Sequence, residues 1–353
     1  MTVTLAKLSQ HTATLSAAAL KRVTHLLVVL PKSEKPDAGT PYAPVLRAVL
    51  ARRKKKLAEL AKSPLSADTS NGALVAWVMI DAGQSTFEKQ TAMRKALALL
   101  LAAQTAMAQQ WARESVEKSP RHREWVQVKY GNRVVDAFVA YPERKDNAPV
   151  VVVIHTINGF IDWIESAADQ LAAEGYIAIA PDLLSQMAPN GGRSTGFETG
   201  KANEAMGKLP KDQITADLNA VADYGLKLPS ANGHLSVAGF CWGGNESFRF
   251  STNRADLKAA YVFYGTPPAT EDMSKIKAPV FAFYGGNDNR VTSTMASATE
   301  NMKAAGKSFE PVVYDGAGHG FMQSGEDPAG PDANKKARTD SWVRWKDLLK
   351  KNQ

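Results

Sequence analysis

The chain has 353 residues, of which 44% are hydrophobic and 22% charged, so it is long enough for about two domains with buried cores. Its single cysteine excludes an internal disulfide framework. No apolar run reaches the ~18–20 residues that a membrane-spanning helix needs, so no membrane association is expected. The net charge of +8 comes from residues 1–108, where Lys and Arg outnumber Asp and Glu by nine. The rest of the chain carries a net charge of −1.

The first third of the chain has the pattern of a small α/β region. Residues 25–31 (HLLVVLP) are predicted to form a strand, followed by a helix that includes the basic run at 51–60 (ARRKKKLAEL). A loop is predicted at 63–72 (SPLSADTSNG), a strand at 73–80 (ALVAWVMI) and a helix from Ser85. The basic run could bind nucleic acid. Because no aromatic residues stand among its charges, a solvated face is favoured, and no nucleic-acid partner is expected.

Residues 93–108 have the layout of a secretory signal peptide. A basic start at Met93 precedes an apolar core at 96–103 and a small-x-small site at 106–108 (AMA). Because export signals act at an N terminus, a helix is predicted here in the chain as written, which is then cytoplasmic. A chain that starts at Met93 is instead predicted to be exported, to the periplasm or beyond the cell, and to begin at Gln109 after cleavage.

Residues 109–353 form the second predicted domain, in which strands alternate with helices. A hairpin is predicted over 125–142, and 148–155 (APVVVVIH) has the continuous apolar character of a central parallel strand. Further strands are predicted near 177–184, 234–240, 259–265, 279–286 and 310–316, with the longer helices at 162–176, 212–228 and 332–351. This alternation predicts a mostly parallel sheet with helices on both faces.

The only cysteine, Cys241, lies in a Gly-x-Cys-x-Gly turn between a predicted strand and a predicted helix. Gly239 and Gly243 supply the small neighbours that a sharp, crowded turn requires. This pattern is the nucleophile elbow, with Cys in place of the commoner Ser, and it exposes the side chain above the strand ends. The helix N-terminus adds positive potential that favours a thiolate. Cys241 is therefore predicted to be a nucleophile.

A thiol with a pKa near ~8.5 is only a few per cent ionised at pH 7, so it needs a base. In proteins with this elbow the acid and the histidine follow the nucleophile, each in a loop after a strand. Asp288 and His319 have these positions. Asp315 is a less favoured acid, because it precedes the turn and stands close to His319 in sequence. The predicted triad is Cys241, His319 and Asp288.

Two backbone amides are predicted to form an oxyanion hole. One belongs to Trp242, directly after the nucleophile, and the other to Ile157 in the loop after the central strand. Loss of one such donor typically slows the reaction ~100–1,000-fold. His155, which ends that strand, is predicted to shape the loop.

From about residue 118 to residue 351 the chain resembles the dienelactone hydrolase (carboxymethylenebutenolidase-like) family. The matching stretches are APVVVVIH, LAAEGYIAIAPDLL, AGFCWGG, FYGGND and GAGHGF. The resemblance implies an α/β-hydrolase fold and a Cys-His-Asp triad at Cys241, His319 and Asp288. It also implies hydrolysis of a small ester or lactone without a metal or an organic cofactor.

The chain departs from that family directly after the central strand. Family members usually carry a glutamate at the position that Thr156 occupies here. That glutamate couples the resting thiol to substrate binding. Thr156 cannot accept a proton at neutral pH. Asn158, where a bulky apolar residue is usual, is expected to make the pocket roomier and more polar. We therefore expect a plainer Cys–His esterase, in which His319 alone deprotonates the thiol.

The N-terminal region is similar, more loosely, to the N-terminal domain of leucyl aminopeptidases over residues 26–35 and 72–97. The zinc-binding half of those enzymes has no counterpart in the sequence, so no peptidase activity of that type and no metal site are predicted. The region is interpreted as a fused remnant or a docking domain.

Two other functions remain open at this point. One is a binding or scaffold protein that holds a partner through the basic N-terminal region, and the other is an amidase or peptidase that uses the same triad. Arg193 is a candidate for binding a substrate carboxylate, although a surface arginine is favoured there. The sequence indicates no oligomeric state.

Overall fold

The computed structural model describes residues 23, 25–33, 40–69, 73–107, 109–198 and 201–353. The chain divides into two compact units, Met1–Ala108 and Gln109–Gln353. Each unit has its own sheet and its own hydrophobic core. Among the described residues, no helix combines the length and the apolar character needed to cross a bilayer.

The first unit contains a three-stranded sheet with the order β1-β3-β2. Its strands are β1 (His25–Pro31), β2 (Leu65–Asp68) and β3 (Leu74–Ile80), and its helices are α1 (Ala43–Arg52), α2 (Thr86–Met107) and a 3₁₀ helix (Leu57–Ala61). β1 runs parallel to β3, whereas β2 is antiparallel to it. As predicted, helix α2 runs through the segment that resembles a signal peptide.

Two sequence-based predictions for this unit were wrong. The segment predicted as a loop contains strand β2, whose Leu65 is buried opposite Trp77; four residues are too few to show a period of two. Helix α1 ends at Arg52, and the basic run continues through a turn in which Lys54 has a φ of 53°. The side chains of the run are mostly exposed, as expected, but on a turn rather than within a helix.

The second unit is built on an eight-stranded sheet with the order β11-β10-β9-β8-β6-β7-β5-β4. In chain order its strands are β4 (Arg123–Tyr130), β5 (Arg133–Ala140), β6 (Ala148–Ile154), β7 (Ile177–Pro181), β8 (Ala231–Phe240), β9 (Leu257–Phe263), β10 (Val280–Gly285) and β11 (Phe309–Tyr314). The pairs β4/β5 and β5/β7 are antiparallel, and the other neighbours run parallel. The mostly parallel sheet predicted from the alternation is confirmed.

Helices cover both faces of this sheet. In chain order they are α3 (Gln110–Glu117), α4 (Asp162–Ala173), α5 (Lys201–Met206), α6 (Lys211–Leu226), α7 (Trp242–Phe250), α8 (Thr270–Met273), α9 (Asn289–Thr292), α10 (Met295–Ala304), α11 (Phe321–Ser324) and α12 (Asp332–Lys351). In β6, Val150 and Val152 belong to one hydrophobic core, and Val151 and Val153 belong to the other. A strand buried on both faces must be apolar throughout, which explains its run of valines.

Local sequence determines where these helices begin and end. Helix α4 has Asp162 and Glu165 in its first turn, where carboxylates interact favourably with the helix dipole. It ends just before Gly175, whose φ of 97° suits glycine far better than other residues. The short helix α5 was not predicted from the sequence, because its six residues give little helical periodicity.

Candidate active site

Cys241 lies on the turn between β8 and α7, in line with the carboxyl ends of the parallel strands. Its backbone is strained, with φ 58° and ψ −116°, and its N–H donates to the carbonyl of Phe263 at 3.0 Å. A Cβ on Gly239 would lie 1.8 Å from the carbonyl oxygen of Gly243, and one on Gly243 would lie 2.3 Å from that of His155. No side chain fits at either position, so the two glycines are what allow this turn.

The other two residues of the predicted triad meet Cys241 in space. His319 follows β11, and its Nε2 lies 3.0 Å from the Sγ of Cys241. Its Nδ1 lies 2.5 Å from Oδ2 of Asp288, which follows β10 and is buried. The structure thus brings together Cys241, His319 and Asp288, although they are separated by up to 78 positions in sequence.

The surroundings of the thiol favour its ionised form. Burial raises the pKa of Cys241, but the hydrogen bond and positive charge of His319 outweigh this effect and leave the pKa below its ordinary value. The amides of Trp242 and Ile157 hydrogen-bond the sulfur and lower its pKa further. For His319, burial lowers the pKa, whereas its bonds to Cys241 and Asp288 raise it above the ordinary value overall. The two opposite shifts favour proton transfer from sulfur to imidazole.

The two amides predicted for an oxyanion hole, those of Ile157 and Trp242, therefore converge on the sulfur. Ile157 belongs to a tight loop after β6, closed by a bridge between Thr156 and Gly159. The Thr156 hydroxyl is buried and accepts the N–H of Asn158 at 3.2 Å. That hydroxyl thus has a structural contact within the loop. The side chain of Asn158 is exposed.

His155, predicted to shape this loop, is fully buried. Its Nδ1 lies 2.9 Å from the carbonyl oxygen of Thr156, and its Nε2 lies 3.2 Å from the backbone nitrogen of Leu183. Burial lowers the pKa of His155 below its ordinary value. The imidazole is therefore neutral at physiological pH and connects two loops.

Tyr264, which sequence reasoning missed, packs directly against His319. The ring centroids are 5.0 Å apart with an edge-to-face angle of 68°. Tyr264 has a φ of 41°, rare for a bulky residue, and its hydroxyl receives the N–H of Met322. The only signal in the sequence is an aromatic residue before a glycine at a strand end, and this pattern does not reveal the backbone angle.

A second missed residue holds the histidine loop from the far end of the chain. Oδ1 of Asn334, in helix α12, accepts the N–H of Gly318 at 2.8 Å, and its Nδ2 donates to the hydroxyl of Ser324 at 2.7 Å. On the solvent side, a guanidinium nitrogen of Arg290 lies 3.5 Å from Nδ1 of His319. Neither position has a sequence pattern that marks it in advance.

Arg193, the candidate for a substrate carboxylate, has structural contacts. Its guanidinium lies over the ring of Trp125, 3.8 Å from the centroid. Burial raises the pKa of Glu165, and the positive charge of Arg193 opposes that shift. These contacts connect the loop after β7 to β4 and α4. Within the described part of the chain, no three His, Cys, Asp or Glu side chains form a cluster that could hold a metal ion.

Comparison with known proteins identifies relatives of the second unit. A protein of Salmonella typhimurium, provisionally named a carboxymethylenebutenolidase, is 31% identical over 230 residues, which is 59% of this chain and 79% of the relative. A protein with the same provisional name from a Synechocystis strain is 30% identical over 241 residues, covering 62% of this chain and 92% of the relative.

Solved structures share the fold. The crystal structure of a provisionally assigned dienelactone hydrolase from Klebsiella pneumoniae matches with a TM-score of 0.57 and 26% identity, over 64% of this chain and 96% of that one. A dienelactone hydrolase-like promiscuous phosphotriesterase from metagenomic libraries matches with a TM-score of 0.56 and 21% identity, over 66% of this chain and 98% of that one.

The family assignment rests on a match that covers more than half of the chain. The model of the dienelactone hydrolase family matches residues 135–353. The match does not extend to residues 1–108, whose similarity to aminopeptidases is unsupported and stays a prediction. The chain belongs to the dienelactone hydrolase family and has its α/β-hydrolase fold.

Proposed function

We propose that the protein hydrolyses small carboxylic esters or lactones, with Cys241 as nucleophile, His319 as base and acid, and Asp288 as the group that orients His319. The observation that carries this proposal is the position of one imidazole, 3.0 Å from a thiol and 2.5 Å from a buried carboxylate. This arrangement holds the base in the correct tautomer and stabilises its cation.

The first half of the reaction forms a thioester. The thiolate of Cys241 attacks the substrate carbonyl carbon, and the carbonyl electrons move to its oxygen. That oxyanion accepts hydrogen bonds from the amides of Ile157 and Trp242. When the intermediate collapses, the C–O bond to the alcohol breaks and Nε2–H of His319 protonates the leaving oxygen. For a lactone the leaving alcohol stays attached to the acyl group.

The second half regenerates the thiol. His319 accepts a proton from a water molecule, which attacks the thioester carbonyl, and the same two amides stabilise the second oxyanion. Collapse breaks the C–S bond and releases the carboxylic acid. The displaced thiolate is again paired with the imidazolium of His319, as it was at the start of the reaction.

A threonine at position 156 favours simple esters over dienelactone itself as substrates. Its hydroxyl accepts a backbone N–H, and the side chain offers no base that could exchange a proton with the thiol. The resting thiol is paired with His319 instead, so its activation needs no substrate-induced step. The relatives' provisional name favours lactones. Replacing Thr156→Glu and measuring the lactone-to-ester rate ratio tests this point, and an unchanged ratio would contradict it.

The first test is the initial rate on a short-chain p-nitrophenyl ester. We expect the full chain to turn over, and Cys241→Ala and His319→Ala to fall to background, while the control His122→Ala, an exposed histidine, keeps the parent rate. Equal rates for the parent and Cys241→Ala would refute the nucleophile. Turnover of amides as fast as esters would favour the amidase alternative, and salt-sensitive partner binding without turnover would favour a scaffold.

A further inference from the structure

We propose that His155 is a positioning residue that holds the Ile157 amide, and with it the oxyanion hole, in its working orientation. The inference rests on the proposed function, since it concerns the same site. His155 is a buried titratable group with no part in the proton transfers described above. Its contacts connect it to both donors of the oxyanion hole.

The hydrogen bonds of His155 determine its tautomer. The backbone N–H of Leu183 can only donate, so Nε2 of His155 accepts and carries no proton. The proton of the neutral ring is therefore on Nδ1, which donates to the carbonyl oxygen of Thr156 at 2.9 Å. Leu183 is itself held, because its carbonyl accepts a hydrogen bond from Arg133 at 3.1 Å. The imidazole thus connects Leu183 to the carbonyl of Thr156, which also accepts the N–H of Gly159 at 3.1 Å.

The carbonyl that His155 holds belongs to the same peptide unit as the first oxyanion donor. The C=O of Thr156 and the N–H of Ile157 lie in one rigid plane, so fixing one end fixes the direction of the other. A hydrogen bond to the carbonyl also polarises the peptide and strengthens its N–H as a donor. The bond from Nδ1 therefore acts directly on the group that binds the oxyanion.

The side chain of the residue that supplies the second donor also packs against His155. The indole of Trp242 stacks on the imidazole, with centroids 6.1 Å apart and an interplanar angle of 16°. In the next residue, Gly243, only the absence of a Cβ allows the approach to the carbonyl oxygen of His155. The imidazole thus bonds the peptide that supplies one donor and stacks on the indole of the residue that supplies the other.

Two substitutions separate the two hydrogen bonds of His155. In His155→Asn the amide nitrogen lies near the position of Nδ1, so the bond to Thr156 is kept and the one to Leu183 is lost. In His155→Gln the amide oxygen lies near the position of Nε2, so the bond to Leu183 is kept and the donor to Thr156 is lost. The proposal requires the Gln variant to be the more damaged of the two.

The two His155 variants should differ in kcat, because only one of them keeps the bond to the peptide that supplies the oxyanion donor. For His155→Gln we expect kcat on the p-nitrophenyl ester to fall on the order of 10–100-fold with little change in KM, because misaligning an oxyanion donor costs less than deleting it. For His155→Asn we expect a several-fold smaller loss. The control Val280→Ala makes a cavity at the start of β10, at the opposite end of that strand from Asp288, and should lower the Tm without changing kcat. Equal losses in Asn and Gln, or losses that follow the Tm, would overturn the proposal.

Alkylation of Cys241 by iodoacetamide, followed by mass spectrometry across pH, provides a readout that needs no turnover. The Ile157 amide bonds the sulfur, so the pH midpoint of alkylation should rise in His155→Gln and stay near the parent value in His155→Asn. Identical midpoints in all three proteins would overturn the positioning role. An inactive parent with shifted midpoints would instead refute the proposed function and leave the positioning role supported.

Discussion

At the scale of single residues, the geometry of the site depends on backbone conformations that few residue types adopt. Gly239 and Gly243 permit the turn at Cys241, and Cys241 itself has a positive φ that a non-glycine residue rarely adopts. Tyr264 has a second such backbone beside His319. Strain at these positions persists only because the surrounding contacts over-determine it. Cys241 and His319 are thus held by packing before any substrate is bound.

The shifted pKa values predict the pH range in which Cys241 reacts. Because the pKa of the thiol is lowered, the thiolate is present at pH values below those needed for a free thiol, for which the pKa is ~8.5. Iodoacetamide should therefore alkylate the parent with a midpoint below that of a free cysteine thiol measured under the same conditions. His319→Ala removes the hydrogen bond and charge that lower the pKa, so its midpoint should move to higher pH. A midpoint that does not move in this variant would contradict the ion pair.

The elbow predicts a sharp contrast between two glycine substitutions. In Gly239→Ala the new Cβ would lie 1.8 Å from a backbone oxygen that cannot move without distorting the turn. We expect loss of esterase activity and a destabilisation of about 3 kcal/mol or more, at the upper end of single substitutions. In Gly192→Ala the nearest atom is 3.6 Å away, an ordinary contact. Urea unfolding of both variants tests the contrast, and equal stabilities would contradict it.

At the scale of elements, a buried polar network holds the loop after β7 against the sheet. Arg133, in β5, donates to the carbonyl oxygens of Leu183 and Ser185 and pairs with Asp217 of α6 at 3.2 Å. The hydroxyl of Tyr130 in β4 also donates to Asp217. Three elements therefore meet at one ion pair, and the loop they hold is the one that anchors His155.

Breaking this ion pair should lower the free energy of unfolding. Arg133→Met leaves the carboxylate of Asp217, which is about 1% exposed, without its cation and leaves two carbonyls without a donor. Removing one partner of a buried pair typically costs about 3–5 kcal/mol. The double variant Arg133→Met, Asp217→Leu removes both charges and should recover part of that loss. Urea unfolding checks both, and a double variant as unstable as the sum of the single ones would argue against the pairing.

At the scale of the whole molecule, the sequence predicts what depends on local pattern and misses what depends on distant packing. The run of valines in β6 predicts the central strand, and the Gly-x-Cys-x-Gly pattern predicts the elbow. The chain order of Asp288 and His319 is enough to place them near Cys241. Strand β2 was missed because its four residues carry no period.

Tyr264 and Asn334 were missed because their contacts join segments far apart in the chain. Nothing in the local sequence around Tyr264 reveals a φ of 41°. Asn334 bonds Gly318 from a helix that begins 14 residues later in the chain, and a lone asparagine in a helix has no distinguishing pattern. Such residues become visible only when the fold is known.

The division into two units predicts that residues 109–353 carry the chemistry alone. Both hydrophobic cores of this unit consist entirely of residues from that range, and Cys241, His319 and Asp288 all lie within it. A fragment of residues 109–353 should unfold cooperatively and keep its kcat/KM on a p-nitrophenyl ester within about threefold of the full chain, as expected of a compact domain. An insoluble or inactive fragment would mean that residues 1–108 are needed for its fold.

The family match begins at residue 135, but a fragment cut there should fail. It would lose β4 and leave the hydrogen-bonding edge of β5 unpaired, and exposed edges of this kind promote aggregation. It would also lack Ser119 and Arg121, which bind the carboxylate of Asp169 at 2.7 Å and 2.5 Å. Asp169, in α4, is buried and would lose both partners. Residues 135–353 should therefore aggregate or unfold at much lower urea than 109–353. Equal stability of the two fragments, measured by urea unfolding, would show that the segment 109–134 adds nothing to the fold.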